Sequence, residues 1–199
     1  MTRIILASRS PRRKKLLKQL GINFEVYPSQ VEENSNRKNP ELLVEELALL
    51  KARDVAKQFP DSLIIGSDTI VVHQNKIIGK PENEDQAFEL LGKLSNSDHF
   101  VYTGVALVKT DKNNSIEAER TFHEQTKVTF SALSEKDIAA YIKSGNPMDK
   151  AGAYGIQDDL GALFVEKIEG DYYNVVGFPL NRFYRELKNF MPDFKLITS

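Results

Sequence analysis

The segment from Ile4 to Leu20 does more than any other to limit the possible folds. Ile4 to Ala7 is a short apolar run that reads as a buried strand. Ser10-Pro11 follows almost at once and reads as a helix start, with Ser10 as cap and Pro11 at the first helical position. Leu16, Leu17 and Leu20 then line one face of that helix, and Gly21 ends it. A strand that passes straight into a capped helix must share a core with it, which sets the chain on an α/β course.

The remaining sequence keeps mixing the two element types. Phe24 to Tyr27 reads as a second strand, and Ser29 to Asn39 as a polar surface loop. Asn39-Pro40 opens a longer helix whose apolar side runs to about Phe59. Leu63 to Gly66 and Ile70 to Val72 are two apolar runs separated by Ser67-Asp68-Thr69. Gln74-Asn75 predicts a hairpin turn into Ile77-Ile78. Asn83 caps a helix through Leu94. His99 to Val108 and Ser115 to Phe130 are expected to pair as a hairpin. Ser134 with Asp137 starts another helix, which ends at Gly145. Ala162 to Ile168 and Tyr172 to Val176 read as strands around a Gly170 turn, and Pro179 opens a last helix to about Phe190. Neither an internal repeat nor a linker breaks the 199 residues, so one domain is expected.

Composition excludes several functions. With 27 Lys+Arg against 28 Asp+Glu, the chain lacks the overall positive charge of a non-specific nucleic-acid binder. It contains no cysteine, which removes disulfide scaffolds, thiol nucleophiles and thiolate zinc sites. His73, His99 and His123 are too scattered to propose a metal cluster from spacing. No apolar run approaches the roughly 20 residues that span a bilayer. The charge order of the first residues is the reverse of a signal peptide's, so a cytoplasmic location with no membrane partner is expected.

Four groups of residues carry possible chemistry. Ser8-Arg9-Ser10-Pro11-Arg12-Arg13-Lys14-Lys15 lies where a strand end meets a helix N-terminus. Backbone N–H groups, hydroxyls and guanidiniums converge there in a way that suits an anion, or else the segment is a solvated basic helix start. Asp68 follows an apolar run, a place where α/β sheets collect catalytic groups, and it reads equally as a turn residue capping Ile70. Glu32-Glu33 reads as an exposed loop pair or, with Asp68, as a holder for a hard divalent cation. Lys51, in an otherwise apolar stretch, either snorkels or points into an anionic site, and Lys80 is shaped by Gly79 and Pro81. Asp149 through Gln157 has glycines that let a ligand or backbone come close, and Gln157 has an amide able to read a base edge.

In combination these strings resemble the Maf family of nucleoside triphosphate pyrophosphatases, itself similar in fold to inosine triphosphatase-type proteins. The resemblance is carried by Leu6-Ala7-Ser8-Arg9-Ser10-Pro11-Arg12-Arg13, Val31-Glu32-Glu33, Leu47 to Ala52, Gly66-Ser67-Asp68-Thr69, Gly79-Lys80-Pro81, Asp149 to Gln157 and Gly170 to Pro179. It implies a mixed twisted sheet with flanking helices and a cleft between two lobes. It also implies cleavage between the α and β phosphates to a monophosphate and pyrophosphate. Asp68 would be the catalytic carboxylate, and Glu33 and Asp68 would hold a divalent cation, Mg²⁺, Mn²⁺ or Co²⁺. Ser8, Arg13, Lys51 and Lys80 would bind the triphosphate. Arg12, Thr69 and Gln157 match the positions that mark members acting on dTTP and UTP, where members preferring 7-methyl-GTP carry an aromatic residue in place of Arg12. The family's link to septum formation leaves a non-catalytic nucleotide-binding regulator as the alternative, and a homodimer is the candidate assembly. Two departures stand out. Asp158-Asp159-Leu160-Gly161 lengthens the loop where many members have glycine directly after the glutamine, and Phe178 replaces a common leucine.

Overall fold

The computed structural model describes residues 2–145, 147–158 and 160–195. Its strands are β1 (Arg3–Leu6), β2 (Glu25–Val26), β3 (Ser62–His73), β4 (Lys76–Ile78), β5 (Asp98–Thr110), β6 (Ile116–Phe130) and β7 (Val165–Glu169). Its helices are α1 (Pro11–Gln19), α2 (Pro40–Ala56), α3 (Glu84–Leu94), α4 (Glu135–Lys143), α5 (Gly161–Phe164), α6 (Tyr172–Val176) and α7 (Leu180–Phe190), with one 3₁₀ turn at Ala151–Ala153. The strands form one seven-stranded sheet in the order β2-β1-β3-β5-β6-β7, with β4 paired to β3. β1 pairs in parallel with β2 and β3, whereas β3–β4 and β6–β7 are antiparallel. The sheet is therefore mixed, as expected.

The chain divides into two compact units. The first contains the chain through Asp68, Thr103–Glu124 and the chain from Gly177 onward. Its core is a close contact between α2 and the sheet, in which Ala48, Ala52, Val55 and Ala56 pack with Ile5, Ala7, Ile64, Ala106 and Val108. Glycine makes this approach possible. A Cβ on Gly66 of β3 would stand 2.1 Å from the Ala48 carbonyl oxygen, and one on Gly104 of β5 would stand 2.2 Å from that of Val44. The helix backbone thus rests on positions where the strands present no side chain.

The second unit contains Thr69–Tyr102 and Gln125–Val176. Its core is aromatic. Phe130 makes edge-on contacts with His99, Tyr154 and Phe164, and Tyr141 does the same with Phe164. α3 contributes Ala87, Leu91 and Leu94, and α4 contributes Ile138, Tyr141 and Ile142. The Gln74-Asn75 hairpin forms as expected, with both residues left-handed as a two-residue β-turn requires.

Caps and helix starts fall where local chemistry places them. Ser10, Asn39, Asn83 and Ser134 all accept from a backbone N–H of the first helical turn. Three expectations are corrected. Ser67-Asp68-Thr69 does not separate two strands, because β3 runs unbroken through it. Pairing with β1 at one end and β4 at the other holds the backbone extended, and alternation disposes successive side chains to opposite faces. Asp68 is therefore a mid-strand residue and not a turn cap. Tyr172 to Val176 is helical because Asp171 Oδ1 accepts from the N–H groups of Tyr173 and Asn174, and because the buried Asn174 amide donates to Val101 O and Thr126 Oγ1. Ala162 to Ile168 is divided between α5 and β7. Phe178 is buried and packs on Phe183, so its replacement of leucine is accommodated in the core of the first unit.

Candidate active site

The site in the first unit begins at the turn from β1 to α1. Ser8 lies just past the strand, and its Oγ accepts from the Ser10 N–H at 3.2 Å. Ser10 caps α1, which places Arg13 one turn in, on the side that faces back to the sheet. The Arg13 guanidinium donates to Ser8 Oγ at 3.2 Å, to the Ser67 carbonyl at 2.9 Å and to the Gly177 carbonyl at 3.0 Å. One planar fork thus ties the β1–α1 turn, β3 and the segment before α7 together. Burial pulls the Arg13 pKa down, Asp68 opposes that shift, neighbouring Arg12 adds to it, and Glu33 opposes it. A guanidinium keeps its charge throughout the physiological range regardless.

Lys51 projects from α2, and the Gly66–Ala48 contact brings its helix against β3. Its Nζ donates to Asp68 Oδ1 at 2.6 Å and pairs with Glu33 Oε1 at 2.9 Å. Lys51 and Asp68 are largely buried, whereas Glu33 is exposed on its loop. Glu32 is engaged differently, accepting from the Asn34 amide, so the two adjacent glutamates part ways. The structure therefore brings Ser8, Arg13, Glu33, Lys51 and Asp68 into one constellation. The basic helix start is not merely solvated, because Arg13 is folded into this group.

A divalent cation can be tested against these donors. Glu33 Oε1 and Asp68 Oδ1 both reach the Lys51 nitrogen, so the two carboxylates lie close together beside it. Hard cations such as Mg²⁺ take a few such oxygens and complete their shell with water and substrate. Among the described residues no group of three or more His, Asp or Glu side chains converges. The donor set fits a hard, water-rich cation.

Arg12 stands beside Arg13 on α1 in the first unit, whereas Thr69, Lys80 and Gln157 belong to the second. Thr69 is half-buried and follows Asp68 on β3. Lys80 is exposed in the segment after β4. The Gly79 carbonyl accepts from the Gly152 N–H at 3.1 Å, which joins Gly79-Lys80-Pro81 to the segment that leads to Gln157. Gln157 is exposed and donates from Nε2 to Asp158 Oδ1 at 2.8 Å. Asp159 of the lengthened loop lies outside the described residues.

Sequence reasoning missed the group behind Gln157. Lys150 is buried and pairs with Asp149 at 2.8 Å and with Asp158 Oδ2 at 3.2 Å. Tyr141 donates its hydroxyl to Asp158 Oδ2 at 3.0 Å and accepts the Gly155 N–H at 3.0 Å. Burial, with the Asp158 charge, raises the Tyr141 pKa and keeps the phenol protonated. Tyr141 reads as an apolar-face residue of α4, and nothing in its local pattern marks it as a partner of Asp158.

Comparison with known proteins adds to this geometry. Residues 3–190 match the family described as Maf-like protein. A dTTP/UTP pyrophosphatase of Lachnoclostridium phytofermentans is 52% identical over 194 residues, which cover 97% of this chain and 98% of that one. A dTTP/UTP pyrophosphatase of Bacillus cereus is 50% identical with the same coverage. Among solved structures, the Staphylococcus aureus Ham1 protein aligns at a TM-score of 0.46 and 17% identity, covering 65% of this chain and 72% of its own.

Proposed function

The chain belongs to the Maf-like proteins, and from that premise we propose that it hydrolyses dTTP and UTP between the α and β phosphates, releasing a nucleoside monophosphate and pyrophosphate. The observation that supports this reading is the buried Lys51–Asp68 pair with Glu33 beside it and Arg13 behind it, in a chain about half identical to two dTTP/UTP pyrophosphatases along nearly its whole length.

Each residue has a role in the proposal. A triphosphate carries about four negative charges, and its cleavage is catalysed mainly by positioning and neutralisation. Arg13, Lys51 and Lys80 supply cations, and Ser8 supplies a hydroxyl donor. Arg13 arrives pre-organised, because its three protein bonds fix the guanidinium plane before substrate binds. Asp68 holds the attacking water, either as its general base or through the cation it shares with Glu33. When bound, that cation (Mg²⁺, Mn²⁺ or Co²⁺) neutralises phosphate charge and lowers the pKa of its water. Lys51 serves a second purpose: it keeps two carboxylates together that would otherwise repel. Arg12, Thr69 and Gln157 select the base and sugar. Residues 1–199 act in this reading as one Maf-like domain, in the cytoplasm and as a homodimer. No helix among the described residues is long and apolar enough to cross a membrane.

The test is a panel of nucleoside triphosphates incubated with the purified protein and each of the three cations, with the products identified. Pyrophosphate and monophosphate in equal amounts, with dTTP and UTP preferred, are expected. Stoichiometric orthophosphate without pyrophosphate would overturn the proposed cleavage site, and equal efficiency on GTP would overturn the base preference.

A further inference from the structure

Gln157 is an ambiguous reader by itself. A side-chain amide offers a carbonyl acceptor and an NH₂ donor, and a half-turn exchanges them. In one orientation it complements the N3–H and a carbonyl of uracil or thymine. In the other it complements the N3 acceptor and amino group of cytosine. A freely rotating amide at this position therefore discriminates poorly between these pyrimidines.

This chain removes the ambiguity. Asp158 Oδ1 accepts from Gln157 Nε2 at 2.8 Å, and an ionised carboxylate can only accept, so the NH₂ must face it. The carboxylate is itself held from behind. Its Oδ2 receives the Tyr141 hydroxyl at 3.0 Å and the buried Lys150 ammonium at 3.2 Å, and both partners are donors. Gly155 leaves room for the arrangement, since a Cβ there would stand 2.4 Å from Asp158 Oδ2 and 2.7 Å from Gln157 Nε2. The Gly155 N–H in turn donates to the Tyr141 hydroxyl, leaving that group's own proton to point at Asp158. The amide is thus anchored through an anchored carboxylate, with its carbonyl turned away from Asp158.

We propose that Asp158 is a specificity-positioning residue that fixes the Gln157 amide in one orientation, so that its free carbonyl accepts the N3–H of uracil or thymine and rejects cytosine. This rests on the proposed role of Gln157 as a base reader and deepens it. Asp158 touches no substrate and acts only through Gln157. Guanine presents the same N–H and carbonyl pair as uracil, so the amide orientation selects among pyrimidines only.

The experiment compares kcat/KM on dTTP, UTP, dCTP and CTP for the wild type, Asp158→Asn, Asp158→Ser, Gln157→Ala and the Gln157→Ala/Asp158→Asn double variant, with thermal stability measured for each. With the Tyr141 hydroxyl and the Lys150 ammonium donating from behind, asparagine turns its carbonyl to them and its NH₂ to Gln157, which favours the reversed amide orientation. Asp158→Asn is expected to narrow the dTTP-to-dCTP efficiency ratio by about tenfold or more, chiefly through better use of dCTP. Asp158→Ser, too short to hold the amide, is expected to narrow it similarly. In the Gln157→Ala background the Asp158 change is expected to leave the ratio where Gln157→Ala alone puts it. A folded Asp158→Asn protein that keeps the wild-type ratio overturns the inference while leaving the proposed activity standing. So does an effect of Asp158→Asn that persists without Gln157. Absence of turnover in the wild type counts against the activity instead. The relative affinities of UMP and CMP then carry the same comparison, and equal wild-type affinities overturn the inference.

Discussion

Lys51 and Asp68 come from different elements, a helix and a mid-strand position, and meet at 2.6 Å within the first unit. The pair depends on the contact one turn away, where β3 has glycine and α2 lays its backbone on it. Gly66 is therefore a site residue in effect, although it carries no functional group. Gly66→Ala is expected to force β3 and α2 apart, since the atom its Cβ would strike is the fixed Ala48 carbonyl. Over-packing of this kind costs about 1–3 kcal/mol. Denaturant unfolding should show that loss together with lower turnover. Wild-type values for both would mean the helix can move without consequence for the pair.

Asp68→Asn keeps the shape of a largely buried side chain and deletes its charge. Turnover is expected to fall to background while the unfolding transition stays cooperative. Cation titration of the variant separates two roles: weakened binding marks Asp68 as a ligand, and intact binding marks it as a base. A variant with most of the wild-type turnover removes Asp68 from the mechanism.

Arg13 makes three bonds with one planar group. A lysine there keeps the charge but has a single nitrogen that cannot reproduce the fork. Arg13→Lys is expected to lose at least tenfold in kcat/KM, about 1.4 kcal/mol, and to fall close to Arg13→Ala. Full activity of the lysine variant would show that only charge matters at this position.

Lys51→Ala and Lys80→Ala should separate on stability while agreeing on activity. Each is expected to lose at least tenfold in kcat/KM, about 1.4 kcal/mol. Removing Lys51 also leaves Asp68 and Glu33 without the cation between them, so its melting temperature should drop unless a divalent cation is added. Lys80 is exposed, and its loss should leave the melting temperature unchanged. Identical melting behaviour of the two variants would contradict the paired role of Lys51.

His99 gives a pH dependence unrelated to catalysis. It is fully buried in the second unit with Nε2 against the Tyr154 hydroxyl at 2.8 Å. Burial, helped by His73 and opposed by Asp98, pushes its pKa down to about 3. The unfolded chain then binds a proton below about 6.5 that the folded chain refuses, so stability is complete above that pH and falls as pH drops toward 3. The slope attributable to this group approaches about 1.4 kcal/mol per pH unit. Unfolding measured from pH 7 to pH 4 should fall less steeply for His99→Gln than for the wild type, and equal slopes would place a charged or exposed histidine there.

Many elements of this protein are written in short stretches of its chain. Helix starts at Ser10, Asn39, Asn83 and Ser134 are short-range contests between a side-chain oxygen and an orphan N–H, so the residues themselves decide them. The Gln74-Asn75 hairpin is local in the same sense. Legibility ends where neighbours in space overrule neighbours in sequence. Ser67-Asp68-Thr69 has the composition of a turn, yet it is strand because the ladder on either side of it holds it extended. Tyr172 to Val176 has the composition of a strand, yet it is helix because Asp171 caps it and Asn174 has buried partners far along the chain.

Amino-acid order alone thus accounts for most element types and boundaries, for the family, and for the identities of the candidate catalytic and base-reading residues. All of these are carried by patterns a few residues long or by strings shared with relatives. Which of those residues act together is a matter of tertiary contact. Lys51 joins Asp68 and Glu33, and Arg13 joins Ser8, Ser67 and Gly177, because strand order and the glycine-permitted seating of α2 set their distances. Tyr141 and Lys150 converge on Asp158 for a related reason: a largely buried carboxylate needs donors, and the fold supplies them from wherever the chain returns.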